Sequence, residues 1–190
     1  EHYILETGKY APSDKNFQRR IRETFQNYRY RSKKHLQDAY KHYKDTKDIS
    51  QLEEVLSVDS VGKLDINVFT DSGYTLLCNA SRYGHTEVVS MLLAMHSINV
   101  NKASNLTGYT PLYIASGKGH AEVVAMLLDK QGVNVNQSTH YGVTPLLIAS
   151  QNGHAEVVAM LLDNKGVDVN QARVDGWTPL YAASRQSHLL

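Results

Sequence analysis

The chain is nearly free of cysteine and has no long hydrophobic run. With a single cysteine among 190 residues, it can form no intrachain disulfide, and nothing points to an oxidising compartment. No apolar stretch approaches the roughly 18–20 residues that a membrane span requires, and no signal-peptide pattern opens the sequence. The first residue is Glu1 rather than Met, so we expect a segment of a longer protein. These features favour an intracellular location, cytoplasmic or nuclear.

The sequence also lacks the short motifs of common enzyme classes. It has no Walker-type phosphate loop, no dinucleotide fingerprint and no Gly-x-Ser-x-Gly. A repeated His-x-Glu includes His120 and Glu122, but residues two apart on a helix do not share a face, and helical metal pairs need a spacing of three or four. The lone Cys78 is interpreted as a small core or groove residue rather than a nucleophile. We therefore expect no active site, metal, cofactor or small-molecule substrate in this segment.

Charge is unevenly distributed along the chain. Residues 1–50 hold 12 Lys and Arg against 7 Asp and Glu, whereas residues 51–190 hold 8 against 12. Basic residues cluster in Arg19–Arg22 and alternate with tyrosines in Tyr28–Lys34, which leaves open a phosphate grip on nucleic acid or on an anionic membrane. Acidic residues interrupt this stretch, so a solvated surface is the favoured interpretation.

A fixed period governs the remainder of the chain. Gly-x-Thr triplets begin at Gly73, Gly108, Gly142 and Gly176, which are 35, 34 and 34 residues apart. The string GHAEVVAMLLD occurs at 119–129 and again at 153–163, and a looser copy, GHTEVVSMLLA, occurs at 84–94. A constant period of this length indicates a solenoid of stacked units.

Each unit predicts two short helices. In residues 105–138, Gly108 suits a tight turn, Thr110 can cap a helix, and Pro111 suits the first helical position. Gly119 is placed to end this first helix. The second helix is the repeated string, which is apolar nearly all round and therefore needs neighbouring units to cover it.

This unit resembles an ankyrin repeat, with its Gly-x-Thr-Pro-Leu turn, Gly-His, Val-Val-x-x-Leu-Leu helix and Val-x-Val-Asn exit. The resemblance implies an all-α ankyrin-repeat solenoid of helix-turn-helix units with β-turn fingers. Full units are expected at 70–104, 105–138 and 139–172, with a truncated unit at 173–190. The tetratricopeptide repeat, the main rival at this period, lacks that turn and the polar finger between helices. The family usually has His after Thr-Pro-Leu, and its replacement here implies weaker bracing of the turns; the replacing residues are Cys78, Tyr113, Leu147 and Tyr181.

The two ends of the array differ from its middle. Leu36, Tyr40 and Tyr43 share a helical face, and residues 33–69 are interpreted as a degenerate capping repeat. Residues 1–32 are expected to form a basic helical segment, with one or two helices that either dock on the array or belong to the edge of an upstream domain. We also expect further repeats to follow residue 190 in the parent protein.

The resemblance implies a protein–protein interaction module, a monomeric array that binds a partner through its concave groove and finger tips. Copies of the unit differ mainly in the turn, the first helix and the exit. The expected partner-binding residues are Tyr74, Arg82, Tyr83, Tyr109, Lys118, His140, Tyr141, Val143, Gln151, Asn152, Trp177 and Arg185. The alternative is a module that targets an enzyme or a bacterial effector, delivered into a host cell, whose catalytic domain lies outside this segment.

One exit also resembles a modification site known in the family. Leu162, Asp168, Val169 and Asn170 fit the pattern of ankyrin exits whose asparagine is hydroxylated in animal cells. The favoured interpretation is that Asn170 bonds its own loop, and hydroxylation of Asn170 stays open as the alternative.

Overall fold

Short helices follow one another in pairs along the chain. The computed structural model describes residues 33–57 and 65–186, so the predictions made for 1–32 and for 187–190 lie outside the described residues. Within these ranges the helices are α1 (33–46), α2 (Ser50–Ser57), α3 (Leu76–Tyr83), α4 (Thr86–Ala94), α5 (Pro111–Lys118), α6 (Ala121–Asp129), α7 (Pro145–Gln151), α8 (Ala155–Asp163) and α9 (Pro179–Gln186). The only β pairing in this part of the chain is one isolated bridge between Phe69 and Thr75. The predicted all-α repeat solenoid is confirmed. None of the helices described is long and apolar enough to cross a membrane.

A threonine directly precedes each of the first helices α3, α5 and α7 and caps it. Each of these hydroxyls accepts a hydrogen bond from the backbone N–H three residues further on, at 3.0–3.1 Å, in the pairs Thr75–Cys78, Thr110–Tyr113 and Thr144–Leu147. Pro111 and Pro145 occupy the first turn, where a missing N–H leaves no bond unmade. The helix starts read from the sequence are therefore confirmed, including that of α3, which has no proline.

The Gly-His step between paired helices joins one repeat to the next. Gly84 and Gly119 end α3 and α5 in the left-handed conformation, with φ of 67° and 73°. A Cβ atom on Gly84 would lie 2.9 Å from Nδ1 of His120, and one on Gly119 would lie 2.6 Å from Nδ1 of His154. Each imidazole therefore lies on the glycine of the preceding repeat. In both exact copies of the string, the histidine fits the glycine of the unit before it.

These imidazoles also bond the backbone of the preceding repeat. The Nε2 atom of His120 lies 3.2 Å from the carbonyl oxygen of Arg82, and Nε2 of His154 lies 3.1 Å from that of Gly117. The imidazole of the Gly-His step therefore bonds backbone at both positions.

The helices form two layers with one core between them. The first helices α3, α5, α7 and α9 contact one another in sequence, as do the second helices α4, α6 and α8. The second helices fill the core with fully buried side chains, among them Val88, Leu92, Val123, Leu127 and Leu161. The core continues into α1 through Leu36, Tyr40 and Tyr43, the face predicted from their spacing. The opposite surface of the first-helix layer is left for the fingers and the groove.

A ladder of asparagine side chains links the exits of successive repeats. Each amide nitrogen donates to a carbonyl in the next exit at 2.7 Å, in the pairs Asn67–Ser97, Asn101–Gly132 and Asn136–Gly166. Each amide oxygen accepts a hydrogen bond from a backbone N–H of that following exit at 2.7–2.8 Å, in the pairs Asn67–Asn99, Asn101–Asn134 and Asn136–Asp168. Asn170 follows in the same register and is exposed; its own N–H bonds Asp168 Oδ1 at 2.9 Å.

Gly119→Ala is expected to destabilise the array more than Gly153→Ala. Both glycines have nearly the same positive φ, 73° and 72°, so a Cβ costs similar backbone strain at either site. A Cβ at position 119 also meets the His154 ring, whereas one at position 153 meets no atom of the described residues within 4 Å. Urea denaturation should give Gly119→Ala a free energy of unfolding lower by about 1–3 kcal/mol than that of Gly153→Ala. Equal losses would show that the imidazole is not seated on the glycine.

Candidate functional site

The finger turns stand next to the first helices and present one residue between Gly and Thr. Each turn is closed by a backbone hydrogen bond of 2.7–3.0 Å, in the pairs Thr70–Tyr74, Ser104–Tyr109, Thr139–Val143 and Arg173–Trp177. The fingers also bond each other, since Asn105 N–H donates to the carbonyl of Gly73 and Val174 N–H to that of Tyr141. The turns are therefore held in a row, as the fixed period predicts.

Five of the predicted partner-binding residues line one cavity of about 260 Å³ between the first helices. They are Tyr74, Arg82, Tyr109, Lys118 and Asn152. Four further lining residues were not predicted as contacts: Tyr113, Ile114, Gly117 and Ile148. The sequence does distinguish Gly117, because the other units have a long polar side chain seven residues after the capping threonine. These residues are Arg82, Gln151 and Arg185.

The cavity has aromatic walls and a cationic rim. The rings of Tyr109 and Tyr113 lie 4.6 Å apart, and the Arg82 guanidinium stands 5.8 Å from the centre of the Tyr74 ring. Burial, with a smaller contribution from Tyr109, raises the pKa of Tyr113 to about 12, so its phenol stays neutral near pH 7. Asn152 donates its amide to the carbonyl of Gly117 at 2.7 Å. The cavity can therefore take an apolar group beside a negative charge.

The other predicted residues lie outside this cavity. Tyr83 faces α1, where its ring stacks on His85 at 5.7 Å and the Lys44 ammonium stands 4.8 Å from its centre. It lines a second cavity of about 400 Å³ together with Leu36 and Tyr40. The residues that the sequence placed in one row are thus divided between at least two surfaces.

A separate aromatic cluster forms around Trp177. The guanidinium groups of Arg173 and Arg185 stand 4.7 and 5.2 Å from its ring, and Tyr181 packs edge-on at 4.9 Å. Contacts of this kind stabilise by about 0.5–1 kcal/mol at exposed sites. Arg185 is exposed, as expected for a contact residue, and the indole is half-buried between the cations.

Predicted contacts on the third unit differ in exposure. His140 and Tyr141 are exposed at the finger tip, and Gln151 is half-buried on α7. Val143, by contrast, is only 9% exposed and packs with Leu147 and Ala182. This burial leaves little of its side chain for direct contact with a partner, and its role in binding stays a prediction. A branched aliphatic side chain at this position fills the interior between α7 and α9.

His85 differs from the other Gly-His imidazoles because it contacts α1 and the turn after it. Its Nδ1 lies 3.1 Å from the hydroxyl of Tyr40, and its Nε2 lies 3.2 Å from the Lys47 ammonium. An ammonium only donates, so Nε2 accepts and Nδ1 carries the proton. Burial first, then Lys47, lowers the pKa of His85; Lys44 and His120 act in the same direction and Glu87 opposes them. The neutral imidazole is therefore the form that holds α1.

Cys78 supports the finger of the following unit. Its Sγ lies 3.6 Å from the carbonyl oxygens of Lys102 and Tyr109, and burial raises its thiol pKa to about 11. A protonated thiol is a poor nucleophile. Over residues 33–57 and 65–186, no group of three or more His, Cys, Asp or Glu side chains is arranged to hold a metal ion.

Comparison with known proteins gives one family. A family model described as ankyrin repeats (3 copies) matches residues 48–139 and 131–189. No curated protein matched the chain. The matched residues include every finger and first helix that lines the 260 Å³ cavity.

Acidification is expected to loosen α1 before it affects the surface carboxylates. Because the pKa of His85 is lowered in the folded chain, its contribution to stability is complete above the ordinary imidazole value and is lost as pH falls through the lowered one. The melting temperature should fall from about pH 7.5 to about pH 5.5 in the wild type, and fall less in His85→Gln. If the melting temperature falls equally with pH in the two proteins, His85 is not the group whose protonation loosens α1.

Proposed function

Because this chain belongs to the ankyrin repeat family, we propose that it binds a partner protein through the groove formed by its first helices and finger turns. Ankyrin repeats are generally protein–protein interaction modules and are typically non-catalytic. The proposal goes further by naming the binding surface, and it assigns this binding to the cytoplasm or nucleus.

The observation that carries the proposal is the gathering of non-repeated side chains at one cavity. Tyr74, Tyr109 and Lys118 belong to segments that differ between units, and all three line the same space. The repeated string supplies the buried side chains of α6 and α8, among them Val123 and Leu127. Packing accounts for what is repeated and leaves the varied positions available for recognition.

The residue types at the groove suit this role. Tyrosine, tryptophan and arginine are enriched among residues that dominate binding energy, where truncation costs about 2 kcal/mol or more. Tyr74 and Tyr109 are half-buried by their own repeats, so their rings lose little further freedom when a partner arrives. Arg82 and Lys118 stand exposed at the rim.

Two alternatives remain from the sequence: a grip on phosphate groups, and a module that targets a catalytic domain or an effector. A phosphate grip would use the basic stretch around residues 19–34, most of which lies outside the described residues. Lys33, one of its two described members, donates to the Asp71 carboxylate at 3.0 Å and so serves a contact within the chain. A module that targets a catalytic domain or an effector would use the same groove, so identifying the groove partner serves that alternative as well.

Asn170 is proposed as the exit asparagine open to hydroxylation. Leu162, Asp168, Val169 and Asn170 fit the exit pattern, whereas the exit of Asn136 has Asn134 in place of the acidic residue. After co-expression with an animal asparagine hydroxylase, mass spectrometry should find one added oxygen atom on the peptide containing Asn170 and none on that containing Asn136. Equal modification of both, or of neither, would reject this proposal.

The binding proposal predicts that groove and opposite-face variants capture different proteins. The chain serves as bait in three forms: wild type, Tyr74→Ala with Tyr109→Ala, and the control Glu122→Gln with Glu156→Gln on exposed second-helix positions. A true partner should bind the wild type and the control alike and bind the groove variant at least about tenfold more weakly. Trp177→Ala, tested alone, shows whether the partner extends to the second aromatic cluster.

Circular dichroism and melting separate recognition from packing. The groove variant should keep the wild-type spectrum and nearly its melting temperature, since Tyr74 and Tyr109 are only half-buried. A groove variant that unfolds would support a packing role for the tyrosines instead. A groove variant that folds and captures the same proteins as the wild type would contradict the proposal.

A further inference from the structure

The cavity between the first helices exists because one side chain is missing. Seven residues after the capping threonine, the units carry Arg82, Gly117, Gln151 and Arg185. Gly117 does not have a positive φ, so its backbone does not require glycine. A Cβ there would lie 3.0 Å from Cγ1 of Ile148. Glycine weakens a helix by up to about 1 kcal/mol relative to alanine, and here it lets Ile148 of the next repeat approach, so that Gly117 and Ile148 both line the cavity.

The size of this space suits one side chain. Its volume of about 260 Å³ lies below the roughly 300–1,000 Å³ of typical small-molecule sites. The walls are the rings of Tyr74, Tyr109 and Tyr113 with the branched side chains of Ile114 and Ile148. Such walls favour a bulky apolar group, because removing its surface from water is the main gain available there.

The rim carries positive charge that the described part of the chain does not neutralise. Arg82 and Lys118 are exposed, and neither forms an ion pair with a described carboxylate. Both stand in the last turn of a first helix, where a cation also suits the helix dipole. The dipole alone does not explain them, because α7 ends without a basic residue.

Charge is segregated between the two helix layers. The first helices α3, α5, α7 and α9 contain no Asp or Glu, whereas the second helices contain Glu87, Glu122, Asp129, Glu156 and Asp163. Described residues 65–186 are acidic on balance, with nine Asp and Glu against seven Lys and Arg. The groove is therefore a positive strip on a mildly negative array, and this arrangement attracts an acidic partner.

We propose that the groove partner presents an acidic peptide segment whose one bulky apolar side chain fills the Gly117 cavity while neighbouring carboxylates pair with Arg82 and Lys118. This inference rests on the proposed protein-binding function and adds the chemistry of the partner. The apolar anchor supplies affinity and the carboxylates supply orientation and selectivity over basic segments. The neighbouring repeats carry the long side chains of Arg82 and Gln151 in place of Gly117, so the proposal places the anchor at this repeat.

Selection from a random peptide library displayed on phage, with the 190-residue chain as bait, tests the proposal. The enriched peptides should share one bulky apolar residue flanked by Asp or Glu. Gly117→Gln should weaken their binding by about tenfold or more, because the new side chain occupies the cavity. Glutamine stands at the equivalent position of α7, but a Cβ at position 117 would lie 3.0 Å from Cγ1 of Ile148. Circular dichroism and melting therefore check that this variant keeps the wild-type fold before its binding is compared.

Charge reversal gives a second, independent variant with a matched control. Lys118→Glu should weaken the same peptides by at least about fivefold, and the loss should shrink as salt screens the rim. Lys165→Glu makes the same charge change at an exposed residue after α8 and should leave binding within about twofold.

The outcomes separate this inference from the proposed function. Groove-dependent peptides that are basic, or that have no acidic residue, would overturn the acidic-segment proposal while the protein-binding function stands. If no enriched peptide depends on Gly117 or Lys118, both fail. Binding of a single-stranded RNA oligonucleotide that the same two variants abolish would replace the peptide with a nucleic acid.

Discussion

An imidazole lying on a bare glycine is the contact on which the array depends. The glycine ends one helix with a positive φ, and its missing side chain makes room for the histidine ring of the next repeat. The ring then bonds a carbonyl two residues before that glycine, as His154 does at Gly117. Steric fit and hydrogen bond together set the separation of neighbouring first helices. The row of fingers and the cavity beneath it follow from that separation.

Local chemistry made the repeated parts of the fold predictable. Gly-x-Thr, the first-turn proline and the Gly-His step each have one dominant structural use, so the period, the caps and the helix ends could be read directly. The sites where two repeats meet were harder. Val143 has the position of a finger residue, but its burial depends on Leu147 and Ala182, which come from different helices. Tyr83 follows Arg82 in sequence, but its ring contacts His85 and Lys44, and the contact with Lys44 depends on how α1 packs on the next unit.

The candidate site shows the same division between local and non-local information. Tyr74, Arg82, Tyr109, Lys118 and Asn152 could be chosen because they differ between units. Gly117 differed as well, yet its effect appears only when Ile148 of the next repeat lies against it. A missing side chain has no chemistry of its own to read from a sequence. Its consequence is a volume, and a volume is defined by its neighbours.

The asparagine ladder gives the array a polarity. Each amide donates to and accepts from the exit that follows it, never the one that precedes it, in all three described pairs. Such a contact is heterologous: the surface that gives and the surface that receives are different, so a two-fold axis cannot relate them. Repetition of this contact produces an open series rather than a closed dimer. The number of repeats then sets the length of the groove. Each added repeat brings its own finger and first helix, whose residues can vary independently of those in the other repeats.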